Sequence, residues 1–125
     1  MEKLGNYFNS ELNRYIGTQL PKIMTSIDLD LLQVKVSRKI VRLAEYKHKN
    51  EKIGLQQENA LKRLGKFASV INKNPILFDG WQVQVVLIRG NEPYDNISVY
   101  CYVRDKTYYL KDKKTIDKFL CIEKI

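Results

Sequence analysis

Hydrophobic and polar positions alternate most regularly between residues 81 and 110. Apolar residues stand at every second position from 81 to 87, and again from 97 to 103. This period of two is typical of a β-strand with one buried face. Residues 90–96 are rich in turn formers, and a second tight turn is expected near residue 105. The pattern therefore predicts a three-stranded antiparallel β-meander.

Upstream of this stretch, apolar residues recur at intervals of three and four, the period of amphipathic helices. The spacing predicts three helices, which cover residues 2–20, about 31–46 and 55–72. The polar segment 47–54 is the predicted turn between the second and third helices, so that residues 31–75 would form a basic helical hairpin.

The start of the second helix has a competing interpretation. Val34 and Val36 alternate with Gln33 and Lys35, as they would in a strand. We favour the helix because the apolar period continues to about Tyr46, which is longer than a typical strand.

Residues 112–125 fit two templates. Asp112 could cap a short helix, whereas residues 119–125 could add a fourth strand.

No repeat or linker divides the chain, and 125 residues suffice for one hydrophobic core. We therefore expect a single α+β domain over 1–125, in which an N-terminal three-helix region (2–75) packs on a C-terminal three-stranded antiparallel β-meander that a short helix or strand follows.

Charge is concentrated in the middle of the chain. Residues 31–75 hold 11 Lys and Arg residues and three Glu residues, so this segment carries the whole formal net charge of +8. The remaining residues hold as many acidic as basic groups. Such a concentration of positive charge favours a polyanionic partner.

The predicted helical hairpin would place these charges on one solvent-exposed surface. Phosphate groups bind such a surface because Lys and Arg displace condensed counterions. The predicted phosphate contacts are Lys35, Arg38, Lys39, Arg42, Lys49, Lys62, Arg63 and Lys66. This pattern does not distinguish DNA, RNA or an acidic protein as the partner.

One face of the predicted meander is rich in tyrosine. If Arg89 lies opposite Ile97, the polar face carries Tyr100, Tyr102 and Arg104. Aromatic rings and an arginine on an open sheet are typical of proteins that stack the bases of single strands. In the alternative interpretation, the first helix covers this face and the tyrosines pack between the layers.

The sequence lacks most of the residue patterns that are typical of catalytic, metal-binding and phosphate-binding sites. His48 is the only histidine, and the two cysteines have no metal-like or catalytic spacing. Neither the GxGxxG nor the GxxxxGK[ST] phosphate loop occurs. Two pairs of carboxylates could converge, Asp28 with Asp30 and Glu92 with Asp95. Helix capping and loop solvation explain both pairs more simply, so we expect no catalytic residues, no metal site and no cofactor.

These patterns favour a small, basic, non-enzymatic accessory protein that binds nucleic acid. The alternative is a protein-interaction module, such as an inhibitor or assembly subunit, that uses the tyrosine-bearing face or the first helix. Homo-oligomers are compatible with both functions.

No apolar run reaches the roughly 18 residues that cross a bilayer, and the polar N-terminus leaves no room for a signal peptide. We therefore expect an intracellular protein without a membrane partner, and its size and composition suggest a viral or mobile-element origin.

Overall fold

A mixed five-stranded β-sheet organises the described part of the chain. The computed structural model describes residues 29–123 together with Glu11, Arg14, Tyr15 and Thr18. These four residues are helical. The rest of the helix predicted over residues 2–20 lies outside the described residues.

Residues 29–123 contain five strands, one short 3-10 helix and two α-helices. The strands are β1 (Leu31–Lys35), β2 (Ile40–Lys47), β3 (Gln82–Gly90), β4 (Ile97–Cys101) and β5 (Lys106–Leu110), the 3-10 helix covers Val36–Arg38, and the α-helices are α1 (Leu55–Asn72) and α2 (Lys113–Leu120). The strand order is β1-β2-β3-β4-β5, and every neighbouring pair is antiparallel except β2 and β3. Helix α1 joins this pair, because parallel neighbours need a crossover connection. Neither α-helix in this part of the chain is both long and apolar enough to cross a membrane.

The predicted three-helix region on a three-stranded antiparallel meander is wrong, because a β-hairpin replaces the second helix. Lys39, in the left-handed conformation (φ 54°), helps to reverse the chain between β1 and β2. Strand β2 lies between two other strands and has both faces covered. Its apolar residues therefore do not alternate with polar ones, and their spacing mimics a helix. The structure supports the competing strand interpretation, and the basic helical hairpin of residues 31–75 does not exist.

The two helices cover opposite faces of the sheet. Helix α1 begins and ends where the sequence predicts, and it contributes Leu61 and Ala68 to one core cluster. The strand residues of that cluster include Val85 and Leu87 of β3, whereas Val86 and Ile88 pack with α2 on the other face. Alternate residues of β3 therefore serve two cores, one on each side of the sheet.

Three antiparallel strands lie between residues 81 and 110, as predicted, but β4 ends at Cys101, so Tyr102 and Arg104 lie in the turn before β5. The register of β3 against β4 also differs by one residue. Arg89 pairs with Ser98 rather than with Ile97. A shift of one residue exchanges the two faces of a strand. Ser98 and Tyr100 therefore share the face of Arg89, which is the face that α1 covers in part.

Helix α2 confirms the helical alternative for the C-terminal segment, with Asp112 as its N-cap. The backbone N–H of Thr115 donates to Asp112 Oδ1 at 2.8 Å. The hydrogen bonds from Thr115 hold the pKa of the Asp112 carboxyl below its usual value. This cap satisfies a backbone donor that the first turn of a helix otherwise leaves without a partner.

Gly65 allows α1 to approach the sheet closely. A Cβ atom at this position would lie 2.8 Å from the Cβ and the carbonyl oxygen of Tyr102. We expect Gly65→Ala to lower the free energy of unfolding by about 1–3 kcal/mol, as overpacking does, although alanine favours helices. Urea denaturation measures the change, with Asn59→Ala on the exposed side of α1 as the control. If the urea concentration at the unfolding midpoint of Gly65→Ala equals or exceeds that of the wild type, this result would contradict the close approach of α1 to Tyr102.

Candidate active site

A cavity of about 900 Å³ opens at the carboxyl ends of β2 and β3. These strands form the parallel pair, and ligands of sheets with parallel strands commonly bind at the carboxyl ends of those strands. The described residues in the cavity wall include four carboxylates (Asp30, Glu45, Glu51 and Glu92), one lysine (Lys47) and three rings (Tyr46, His48 and Tyr94).

The β1–β2 hairpin brings Asp30 beside Glu45. Leu31 pairs with Ala44 across the two strands, so the residues that flank this pair, Asp30 and Glu45, are neighbours. The backbone N–H of Tyr46 donates to Asp30 Oδ2 at 2.9 Å. This hydrogen bond holds the Asp30 carboxylate at the cavity wall.

Glu45 is a buried carboxylate with one unsatisfied oxygen. Only 4% of the residue is exposed, and Oε1 has no hydrogen-bond partner of normal geometry among the described residues. Burial, next the negative charge of Asp30 and last a hydrogen bond with the Asp30 carboxyl raise the pKa of Glu45 to about 7, while Lys47 and the Gln57 amide act in the opposite direction. An unsatisfied buried polar group costs about 1–3 kcal/mol. Such a group in a cavity, with a strongly shifted pKa, is typical of a functional site.

Lys47 completes a short row of charged groups. It stands two residues after Glu45 on β2, which places both side chains on the face of α1. Lys47 Nζ lies 3.7 Å from Glu45 Oε2 and 3.7 Å from Glu51 Oε2, and its side chain is only 16% exposed. The ammonium group is therefore held at the cavity between two carboxylates.

Asp30, Glu45 and Lys47 form a set suited to a small, hard cation and an anionic substrate. Mg²⁺ prefers carboxylate oxygens, retains several waters and commonly binds through one or two carboxylates plus substrate phosphates. In the part of the chain that the structure describes, no group of three or more His, Cys, Asp or Glu side chains is arranged to hold a metal ion. A cation held by two carboxylates would keep coordination positions for water and substrate.

Three of the predicted phosphate contacts are engaged within the fold. Lys35 Nζ, Arg38 Nη1 and Arg42 Nη1 donate to the carbonyl oxygens of Cys121, Ile122 and Phe119, at 2.9, 3.0 and 2.7 Å. These carbonyls lie at the C-terminal end of α2, where positive charges stabilise the negative pole of the helix. The three residues thus attach α2 to the β1–β2 hairpin.

Arg42 is the most deeply buried residue of the predicted contact set, with 3% of its surface exposed. Its guanidinium lies 3.9 Å from the centroid of the Phe119 ring and donates to the side-chain oxygens of Gln33 and Gln84. Burial lowers the pKa of Arg42 to about 10. Arg42 therefore remains charged at neutral pH and connects elements of the core.

The other predicted phosphate contacts lie at the surface. Lys39 Nζ is 3.3 Å from Asp79 Oδ2. Lys49 follows β2, and three basic residues lie on α1, all of them exposed: Lys62, Arg63 and Lys66. Since α1 begins beside the cavity, with Gln57 near Glu45, its basic residues remain predicted contacts for a polyanion.

The tyrosine-bearing face is partly covered. Tyr102 is 8% exposed, lies against Gly65 of α1 and has its hydroxyl 3.4 Å from Glu58 Oε2. Tyr100 is half-buried and its hydroxyl donates to Asp105, whereas Arg104 is exposed. The alternative interpretation placed the helix predicted over residues 2–20 on this face. A helix does cover Tyr102, but it is α1, which spans Leu55–Asn72.

Sequence reasoning missed Glu45 and Lys47 as site residues. The available signal is an acidic residue and a lysine two positions apart, which share one side of a strand. That signal has meaning only when residues 40–47 are recognised as a strand, because positions two apart diverge on a helix. Asp30 was interpreted as a helix-capping residue, whereas it is the partner of Glu45 across the hairpin.

Comparison with protein-family models, curated proteins and solved structures finds no match to this chain.

Proposed function

We propose that the protein is a divalent-cation-dependent phosphodiesterase that cleaves nucleic acid at the cavity of Asp30, Glu45 and Lys47. The observation that carries this proposal is the buried Glu45, which has an unsatisfied carboxylate oxygen beside a second carboxylate and an oriented ammonium group. A cation bound to Asp30 and Glu45 would neutralise two carboxylates that repel each other. It would also supply the partner that Glu45 Oε1 lacks.

The same groups can support hydrolysis of a phosphodiester. A cation at Asp30 and Glu45 would polarise a phosphoryl oxygen and lower the pKa of a bound water. In hydrolysis, the oxygen of a water molecule would form a new bond to phosphorus as the bond to the ester oxygen breaks. The proton of the water leaves to solvent and the ester oxygen takes up a proton, giving a phosphomonoester and an alcohol. Lys47 lies where its positive charge would stabilise the negative charge that develops on the phosphoryl group.

The net charge and the surface of α1 favour nucleic acid over a small phosphodiester. The formal net charge is +8. Helix α1, whose Gln57 lies near Glu45, carries three exposed basic residues further along its length, Lys62, Arg63 and Lys66. A phosphate backbone that extends from the cavity along α1 would displace counterions from these residues.

A non-enzymatic role in nucleic-acid binding is the second candidate, because the exposed basic residues of α1 would serve it equally well. This role leaves the buried Glu45 without an explanation, so we rank it below cleavage. The expectation that the protein is not an enzyme stays a prediction that no observation tests, and the same holds for the protein-interaction module.

The test of the proposal is a cleavage assay with the full chain. Fluorescently labelled single- and double-stranded DNA and RNA are incubated separately with Mg²⁺, Mn²⁺, Ca²⁺ or EDTA, and the products are separated by size. We expect cleavage with Mg²⁺ or Mn²⁺ and none with EDTA. Binding without cleavage in every cation would support the second candidate and overturn the first.

Reversing two charges on α1 should weaken nucleic-acid binding. We expect Lys62→Glu with Lys66→Glu to raise the Kd at least about tenfold near physiological salt, and to reduce the salt dependence of binding, because phosphate contacts are lost. Fluorescence anisotropy measures both quantities. The matched control is Lys111→Glu with Lys114→Glu, an equal charge change beside the N-terminus of α2. Equal losses in the two variants would contradict a specific role for α1.

A further inference from the structure

We propose that Tyr94 and His48 form a subsite for an unpaired nucleobase at the edge of the cavity, so that the substrate is single-stranded nucleic acid or an unpaired segment of it. This inference rests on the proposed function, since it names the substrate class of the same site. It concerns binding of the base, whereas Asp30, Glu45 and Lys47 serve the phosphate.

Three aromatic rings form a row in the cavity wall. The ring of Tyr46 lies 5.6 Å from that of His48 and 6.2 Å from that of Tyr94, with interplanar angles of 69° and 70°. The Tyr46 hydroxyl donates to the carbonyl oxygen of Gly90 at 2.6 Å. This hydrogen bond fixes the central ring, against which the two outer rings rest edge to face.

The outer rings are accessible and lie at the cavity. Tyr94 is 38% exposed and His48 is exposed, and both line the cavity that contains Asp30 and Glu45. Each ring therefore has surface on which a base can stack. Stacking of a base on an aromatic side chain contributes about 1–3 kcal/mol and tolerates any base.

The loop that carries Tyr94 is attached through Asn91 to the residues that follow β2. Asn91 Oδ1 accepts a hydrogen bond from the backbone N–H of Lys49 at 3.2 Å and lies 3.1 Å from His48 Nδ1. Tyr94 itself has a φ of 62°, a left-handed conformation that bulky residues rarely adopt. The loop thus presents a strained aromatic residue at the cavity, as binding loops often do.

The charges beside Tyr94 favour contact with a base over contact with the backbone. Glu92 and Asp95 flank Tyr94 in the same loop and are exposed, so they would repel phosphate groups. Carboxylates accept hydrogen bonds from the exocyclic amino groups of bases. In a duplex the base faces are stacked on one another, and only an unpaired base offers a face to Tyr94.

The test compares single-stranded and duplex oligonucleotides of one sequence. Fluorescence anisotropy measures their binding to the wild type, Tyr94→Ala and Tyr94→Phe in EDTA, where the proposed reaction cannot proceed. We expect Tyr94→Ala to weaken single-strand binding roughly tenfold and duplex binding less than about twofold, while Tyr94→Phe binds like the wild type. Circular dichroism establishes that each variant is folded.

The outcomes separate this inference from the proposed function. Equal effects of Tyr94→Ala on both oligonucleotides, or no effect on either, would overturn the base subsite even if the wild type cleaves nucleic acid. A Tyr94-dependent preference for the single strand, together with no cleavage in any cation, would support the subsite and remove only the catalytic proposal.

Discussion

Replacing Asp30 by Asn is expected to reduce cation-dependent cleavage by about 10²- to 10³-fold, the loss that follows removal of one group that stabilises a transition state. The substitution preserves shape and removes one of the two charges that would hold the cation. The Asp30 carboxylate accepts a hydrogen bond from Tyr46 through Oδ2. Asn can keep an oxygen at that position, so the fold should be preserved.

The control for this variant is Asp117→Asn on α2. Asp117 is an exposed carboxylate that pairs with Lys113 at 3.4 Å and lies outside the cavity. Initial rates with a labelled oligonucleotide in Mg²⁺ measure both variants. Wild-type rates for Asp30→Asn, or an equal loss in Asp117→Asn, would show that the cavity is not the site of cleavage.

Replacing Glu45 by Gln is expected to stabilise the cation-free protein by about 2–3 kcal/mol at pH 8, because the pKa of Glu45 rises from an ordinary 4.5 to about 7 on folding. The folded state binds this proton more tightly than the unfolded state does. The wild type therefore loses stability as the pH rises from 4.5 through 7, and above 7 the full cost of the buried charge is present. Below about pH 4.5 the stabilities of the wild type and the variant should converge.

Urea denaturation in EDTA between pH 4.5 and 8 measures this difference. A cation that binds only the folded wild type should recover the lost stability in Mg²⁺, and should leave Glu45→Gln unchanged. A variant that is less stable than the wild type at pH 8, or a pH-independent difference, would contradict the assignment of Glu45 as a destabilising functional group.

Local patterns predicted α1, the cap of α2 and the three strands between residues 81 and 110. Helix α1 has the expected bounds because its apolar stripe packs against β3 while its lysines face solvent. Asp112 is recognised as a cap because it lies just before the helix, where its carboxylate reaches Thr115. The strands of the meander follow their period of two.

Local sequence patterns could not predict the β1–β2 hairpin. Strand β2 is covered on both faces, and Arg42 is buried within it because α2 supplies a carbonyl partner from a distant part of the chain. A buried arginine at a helical interval from other basic residues resembles one face of a solvated helix. Only the pairing of β1 with β2 distinguishes the two structures.

The site depends on the same pairing. Asp30 and Glu45 are 15 positions apart in the sequence, and they are neighbours only because Leu31 pairs with Ala44. Lys47 joins them because β2 points it to the side of Glu45. In the sequence alone, Asp30 is an acidic residue at the start of a predicted helix, and Glu45 is an isolated carboxylate in a lysine-rich segment. Neither position indicates that the two residues are neighbours.

The most direct test of the proposed cation site at Asp30 and Glu45 is Mn²⁺ binding to the full chain without substrate, measured by electron paramagnetic resonance. Mn²⁺ serves as the probe because it accepts the same oxygen ligands as Mg²⁺. We expect saturable binding by the wild type and by Asp117→Asn, and loss of that binding in Asp30→Asn and Glu45→Gln. Binding that is identical in all four proteins, or absent from the wild type, would contradict a cation site at Asp30 and Glu45.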